Sequence, residues 1–258
     1  MLFDRLESAG KHHYSQLFHP PFADDLEVDD LFAWVRKEKA QLYMRFLAPD
    51  GIRLSKRPGH IPIREILRLP SVKLKDRAYL EATTPEAAEK AAFLVLLFPQ
   101  RRSDTSLPAV QKIEGQGLLG LRLQLGDSLD RVGFALQDGI PLRDENISTD
   151  GRSFRVSQTQ GQIRVVSLEE ATYLEAGGRI WLRSDKPISG VGAVEGGQIE
   201  WHMLSSAPST LEFHTEFRPT EIRLDGRRLA PQDYSFQWEQ RSMKLVLPEG
   251  THTISARP

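Results

Sequence analysis

The stretch Tyr79–Arg102, YLEATTPEAAEKAAFLVLLFPQRR, decides how the rest of the chain is read. Within it, Ala91–Phe98 is the most hydrophobic window of the sequence and must be buried. Two local structures suit this stretch. Thr84 can cap a helix that has Pro85 at its first position and Glu86 in its first turn. Phe93–Phe98 equally suits a fully buried strand of ordinary length, stopped by Pro99. Apolar periodicity does not separate the two in so short a run. The context favours a strand, with room for a short helical turn ahead of it, because nearly everything downstream alternates.

After Pro99 the alternation is plain. Leu119, Leu121, Leu123 and Leu125 share one face, Gly120, Arg122 and Gln124 the other, and Gly126-Asp127 turns the chain. Val132, Phe134 and Leu136 alternate next, up to Asp138-Gly139; Asp150-Gly151 precedes Phe154–Val156, and Gly161 precedes Ile163–Val166. Strand, turn and strand at this short spacing is the pattern of an all-β sandwich. Glycine is densest from Gly177 to Gly197, which places a domain boundary near Ala176. Beyond it, apolar segments recur at Ile180–Leu182, Ile199–Met203, Leu211–Phe213, Ile222–Leu224, Tyr234–Trp238, Met243–Leu247 and Thr251–Ser255. About seven strands in roughly 80 residues is the scale of a small immunoglobulin-like sandwich. The expected architecture is therefore all-β: a large antiparallel β-sandwich over residues 1–176 and a small immunoglobulin-like β-sandwich over residues 177–258.

Upstream, the readings are weaker. Leu2–Glu7 is short and mixed. His12–His19 reads as a strand, with Tyr14, Gln16 and Phe18 on one face and His13, Ser15, Leu17 and His19 on the other. Leu31–Val35 suits a strand or part of a helix. Gln41–Leu47 ends in the turn signal Pro49-Asp50-Gly51. Ile52–His60 is basic and reads as a loop, and Ile61–Leu69 and Val72–Leu74 are short apolar pieces.

The 258 residues include no cysteine, so disulfides, thiolate metal sites and cysteine nucleophiles are excluded. The formal net charge of −1 offers no global attraction to nucleic acid or an anionic membrane. No apolar stretch approaches the roughly 20 residues that span a bilayer as a helix. The N-terminal sequence lacks the basic-then-apolar pattern of a signal peptide, so the expectation is either a cytoplasmic protein or an exported one whose native start lies elsewhere.

Nucleotide-binding and hydrolase motifs are missing: there is no G-x-x-x-x-G-K-[ST], no G-x-S-x-G and no H-E-x-x-H. His12, His13 and His19 form the one histidine cluster, but on a strand His13 and His19 would stand about 20 Å apart, too far to share a metal ion. No metal or other cofactor is expected. The basic run Arg53, Lys56, Arg57 and His60 can hold a carboxylate or sulfate, although solvated loop charges are commonplace. The acidic run Asp24, Asp25, Glu27, Asp29 and Asp30 reads as a solvated face. Trp34, Trp181, Trp201 and Trp238 can stack on sugar rings, but Trp201 and Trp238 alternate with apolar neighbours, which favours core packing. His13, His19 and Arg57 are the candidate substrate-binding residues; no catalytic residue is assigned.

The order of features resembles the C-terminal β region of heparinase II/III-like polysaccharide lyases, alginate-lyase-like enzymes among them. The segments that carry the resemblance are FDRLESAGKHHYSQLFHPPF at residues 3–22, LYMRFLAPDG at 42–51, YLEATTPEAAEKAAFLVLLFPQRR at 79–102 and DGRSFRVSQTQGQIRVVSLEEATYLE at 150–175. The resemblance implies β-elimination on uronic-acid polysaccharides in the complete enzyme, with an acidic polysaccharide as partner and an extracytoplasmic location. It also implies a helical toroid that supplies a catalytic tyrosine and histidine, for which this chain has no run of amphipathic helices. The expectation is a β-sandwich portion not competent alone, paired with a helical domain or subunit. The rivals are a freestanding carbohydrate-binding module and a structural or interaction sandwich.

Overall fold

A computed structural model describes residues 1–20, 25–59 and 78–258. The described chain is all-β, built of antiparallel sheets and without an α-helix. It divides into two compact units, Met1–Ser106 and Leu107–Pro258.

The first unit contains β1 (Leu2–His12), β2 (Ser15–Phe18), β3 (Leu26–Asp29), β4 (Phe32–Arg36), β5 (Ala40–Ala48), β6 (Arg53–Pro58), β7 (Ala78–Thr83) and β8 (Ala88–Arg101). They form a five-stranded sheet in the order β1-β8-β5-β4-β3 and a three-stranded sheet in the order β2-β7-β6. The two sheets close on one core. Met44, Phe46, Phe93 and Val95 come from the larger sheet and Ala78, Leu80 and Ala82 from the smaller. Phe18 meets Phe46 edge-on across the gap, with ring centroids 5.6 Å apart. Burying each large apolar side chain contributes about 1.5–3 kcal/mol, so this face pairing holds the layers together.

The deciding stretch is a strand. Thr84 and Pro85 lie in the bend before β8, and no helix starts there. Pro99 does not stop the strand, because the ladder with β5 runs on to the pair Ala40 and Arg101. The β1 ladder has already ended at Leu2 opposite Val95. Pro99 therefore sits where β8 has a partner on one side, and a missing N–H on the free side costs no ladder bond.

Three other expectations change. Leu2–Glu7 belongs to an 11-residue strand. The strand expected over His12–His19 is broken between His12 and Ser15, although its two faces are as expected: Tyr14, Gln16 and Phe18 are half-buried, and His13, Ser15, Leu17 and His19 are exposed. Most of the basic run is β6, not a loop. Ile61–Leu69 and Val72–Leu74 lie outside the described residues.

The second unit contains β9 (Ala109–Gly115), β10 (Leu118–Leu125), β11 (Ser128–Ala135), β12 (Leu142–Asp144), β13 (Ile147–Thr149), β14 (Ser153–Thr159), β15 (Gln162–Ala176), β16 (Arg179–Glu195), β17 (Gln198–Ser205), β18 (Ser209–His214), β19 (Glu221–Leu224), β20 (Arg227–Arg228), β21 (Tyr234–Gln237), β22 (Ser242–Leu247) and β23 (Gly250–Arg257). The long hairpin β15–β16 organises it. Its register slips between Leu168 and Ala171 and again by Tyr173, and Glu170 takes a left-handed φ of 49°. Such bulges insert unpaired residues and bend the strand.

Because the hairpin bends, β16 serves two layers. Its Leu182–Ser184 segment pairs with β18, and Ile188–Glu195 pairs with β17. The layers β18-β22-β21 and β17-β23-β19-β20 grow from these two halves. Trp201 and Phe213 meet in their shared core, ring centroids 6.3 Å apart, with Met243, Leu245 and Ile254 in the same cluster.

The boundary expected near Ala176 falls inside this hairpin. Ala176 pairs with Arg179 across Gly177-Gly178, whose φ values are 60° and 72°. Two successive left-handed residues make a tight hairpin turn, so the glycines are turn chemistry and not a linker. Six of the seven C-terminal apolar segments fall wholly on strands, and Tyr234–Trp238 overruns its strand by one residue. They share β15–β16 with the preceding sheet, and the division of the chain lies instead at Ser106 and Leu107.

Candidate functional site

β7 alternates strictly. Leu80 and Ala82 point into the core, both fully buried, so Tyr79, Glu81 and Thr83 lie on the opposite face. Pairing on both sides extends that face into rows. Leu17 and Ser55 flank Glu81, and Ser15 and Arg53 flank Thr83. Arg57 pairs with Tyr79 on one side. On the other, His19 follows the end of β2 and its ring lies 5.4 Å from that of Tyr79, tilted by 37°.

The polar groups of this face are linked. Arg57 Nε donates to Glu81 Oε2 at 2.8 Å, and Ser55 Oγ to the same oxygen at 3.4 Å. The Ser15 and Thr83 hydroxyls are 2.9 Å apart. Among the described residues, Arg53 has no carboxylate within ion-pairing distance. Lys56 belongs to the other face and is used structurally, its Nζ donating to the Leu26 carbonyl at 2.9 Å.

Two of the three expected binding residues, His19 and Arg57, thus converge on Tyr79. The third does not join them. His13 sits between β1 and β2, with Nδ1 3.4 Å from the Thr84 carbonyl. Thr84 lies five residues along from Tyr79, about 17 Å at the rise of a strand. Tyr79 and Glu81 were not among the sequence candidates. The signal was present in the quoted stretch, whose opening Tyr79–Thr83 alternates polar and apolar side chains.

The remaining candidates separate by burial. Trp181 and Trp201 are core residues. Trp34 is half-buried, with the Tyr43 ring at 4.9 Å and the Arg36 guanidinium 5.0 Å above it. Trp238 overturns the packing expectation: it lies past the end of β21, 61% exposed, beside Phe236. In the acidic run, Glu27 and Asp25 are ion-paired with Arg36 and Lys37, so they are not merely solvated. Among the described residues, no group of three or more histidine and carboxylate side chains is placed to hold a metal ion.

The sheet face therefore offers an aromatic surface, two guanidinium groups, one carboxylate and a set of hydroxyls along one line of strands. Such a surface suits a ligand with C–H-rich faces, hydroxyls and negative charge. No protein-family model matches the chain, and no curated protein gives a significant match.

Proposed function

We propose that this chain is the β-sandwich portion of a heparinase II/III-like polysaccharide lyase, and that the outer face of β2-β7-β6 binds an acidic polysaccharide. The observation that carries this reading is the row formed by His19, Tyr79 and Arg57. The aromatic pair supplies an apolar platform for a sugar ring, and Arg57 supplies a cation for its carboxylate. Arg53, four residues from Arg57 on the same strand, lies about 13 Å away and serves a second carboxylate.

β-Elimination requires a base to take the C5 proton, a cation to neutralise the adjacent carboxylate, and an acid to protonate the leaving O4 as the C4–C5 double bond forms. The sheet face supplies binding and neutralising groups. The acid and base belong, on this reading, to a helical domain or partner, and the sandwich alone binds without cleaving.

The test is binding of alginate and heparan sulfate to the intact chain, with neutral dextran as the control. Retention of the acidic glycans that weakens with salt supports the reading. Their failure to bind at low salt removes it. A freestanding binding module shares the same face; new ultraviolet absorbance from unsaturated uronates, on adding a helical partner, separates the lyase from the module.

A further inference from the structure

The bend of β15 brings the two ends of that strand together. The Ile163 Cδ1 atom lies 3.7 Å from where a Cβ on Gly177 would stand. Between them opens a cavity of about 320 Å³. It is lined by the buried Trp181, the half-buried Ile163 and Val194, and the exposed Arg164, Arg179 and Glu216, together with Gln158 and Gln162. The indole of Trp181 is fixed in place by donating from Nε1 to the Ala176 carbonyl at 3.2 Å.

The charges around this cavity are unevenly paired. Arg179 is ion-paired with Glu216. Arg164 donates to the Gln162 amide oxygen at 2.7 Å, and no carboxylate lies within ion-pairing distance of it among the described residues. Behind Glu216 lies His214, with its side chain only 6% exposed and its ring 5.5 Å from that of Trp181, tilted by 60°. Among the described residues His214 Nε2 has no hydrogen-bond partner, and it stands 3.9 Å from Glu216 Oε1. A buried polar atom left without a partner is destabilising and calls for an explanation. Burial above all, and then Arg179, holds the His214 pKa below its ordinary value. The ring is therefore neutral near pH 7, and in the Nε2–H tautomer it donates to a carboxylate that comes within reach.

We propose that this cavity binds a single hexuronate ring, whose carboxylate takes Arg164 and Arg179 while Glu216 moves onto His214 Nε2. Glu216 then acts as an internal stand-in for the ligand. The small displacement needed gives the orphaned Nε2 its partner as Arg179 is released. The size suits one ring and not a polymer, near the lower end of small-molecule sites at about 300 Å³. Trp181 and Ile163 take the C–H face of the sugar, and the two glutamine amides take its hydroxyls. The site shares no residue with the sheet face of the first unit and stands or falls apart from it.

The experiment is calorimetric titration of the intact chain with D-glucuronate, D-glucose and acetate, with tryptophan fluorescence as a second readout. D-Glucuronate is expected to bind about ten-fold or more tighter than either control, as a charge-assisted contact combined with ring stacking requires. Arg164→Ala, at an exposed position, weakens binding about ten-fold. Glu216→Gln tightens it, because a competing carboxylate is gone. No binding of D-glucuronate, equal binding of D-glucose or acetate, an Arg164→Ala variant with unaltered affinity, or weaker binding by Glu216→Gln would each overturn the proposal.

Discussion

The Asp150 carboxylate clasps Thr172 twice, accepting from its amide at 2.8 Å and from its hydroxyl at 2.5 Å. The Tyr173 amide adds a third bond at 3.2 Å. These residues lie where the β15 register slips, so one side chain holds the bulge that bends the hairpin. Asp150→Ala is expected to lower the stability of the protein by about 3 kcal/mol, since hydrogen bonds to a charged group contribute about 1.5–3 kcal/mol each and do not add fully. Asp150→Asn keeps an acceptor and loses less. Urea unfolding of the two variants checks this, and an unchanged midpoint for Asp150→Ala would contradict it.

Gly192 packs against the Trp201 indole so closely that an added Cβ would stand 2.6 Å from ring carbons. The indole is buried in the shared core and has no room to retreat. Gly192→Ala is expected to destabilise by about 1–3 kcal/mol through overpacking. Chemical denaturation should show the loss, together with a change in the near-ultraviolet signal of Trp201.

His252 and Asp225 set a pH dependence. His252 Nδ1 lies 2.7 Å from Asp225 Oδ2, and the Thr253 amide donates to Asp225 Oδ1 at 2.8 Å. The hydrogen bond to Asp225 raises the His252 pKa above its ordinary 6.5. The hydrogen bond from His252, then that from Thr253, lowers the Asp225 pKa below 3.8. The histidine contribution is full below pH 6.5 and fades as pH rises through the raised value. The aspartate contribution is full above pH 3.8 and fades as pH falls through the lowered value. Asp225 has a φ of 52°, which asparagine also tolerates. The stability difference between the native chain and Asp225→Asn should therefore be greatest from about pH 4 to 6.5 and shrink above it. A difference that stays constant from pH 5 to 9 would contradict the pair.

How far these features could be read beforehand depended on distance along the chain. Leu119 and Leu121 are buried, although Leu125 on the same face is exposed, and the Tyr14, Gln16 and Phe18 face was correct even where the strand broke. Neighbouring residues on a strand report their faces locally, so that pattern survives without knowledge of the fold. The pairing of His19 with Tyr79, and of Arg57 with Glu81, joins residues far apart in sequence and follows from strand register alone. The run Ile52–His60 reads as a loop because it is basic. The fold resolves this by curling Lys56 round to a backbone carbonyl while Arg53 and Arg57 stay outside. The glycine density from Gly177 to Gly197 suggests a boundary near Ala176, because glycine looks the same in a linker and in a left-handed turn. Trp238 alternates with apolar neighbours as a core residue does, yet it falls beyond the last paired residue of β21, where it is mostly exposed.

Arg57 offers a direct probe of the sheet face because its side chain is more than half exposed, so its loss should leave the fold intact. Removing the guanidinium takes away one charge-assisted contact per bound uronate and should weaken binding about ten-fold. Tyr79→Ala should weaken it further by removing the aromatic platform, whereas Glu81→Gln should strengthen it by freeing Arg57.

The decisive measurement is the affinity of the intact chain for alginate at low and high salt, compared with that of Arg57→Ala. Binding at low salt that falls steeply as salt is added, that drops about ten-fold in the variant, and that has no counterpart with dextran is the predicted result. Absence of alginate binding at low salt, or equal affinity for the native chain and Arg57→Ala, would contradict a polysaccharide-binding sheet face.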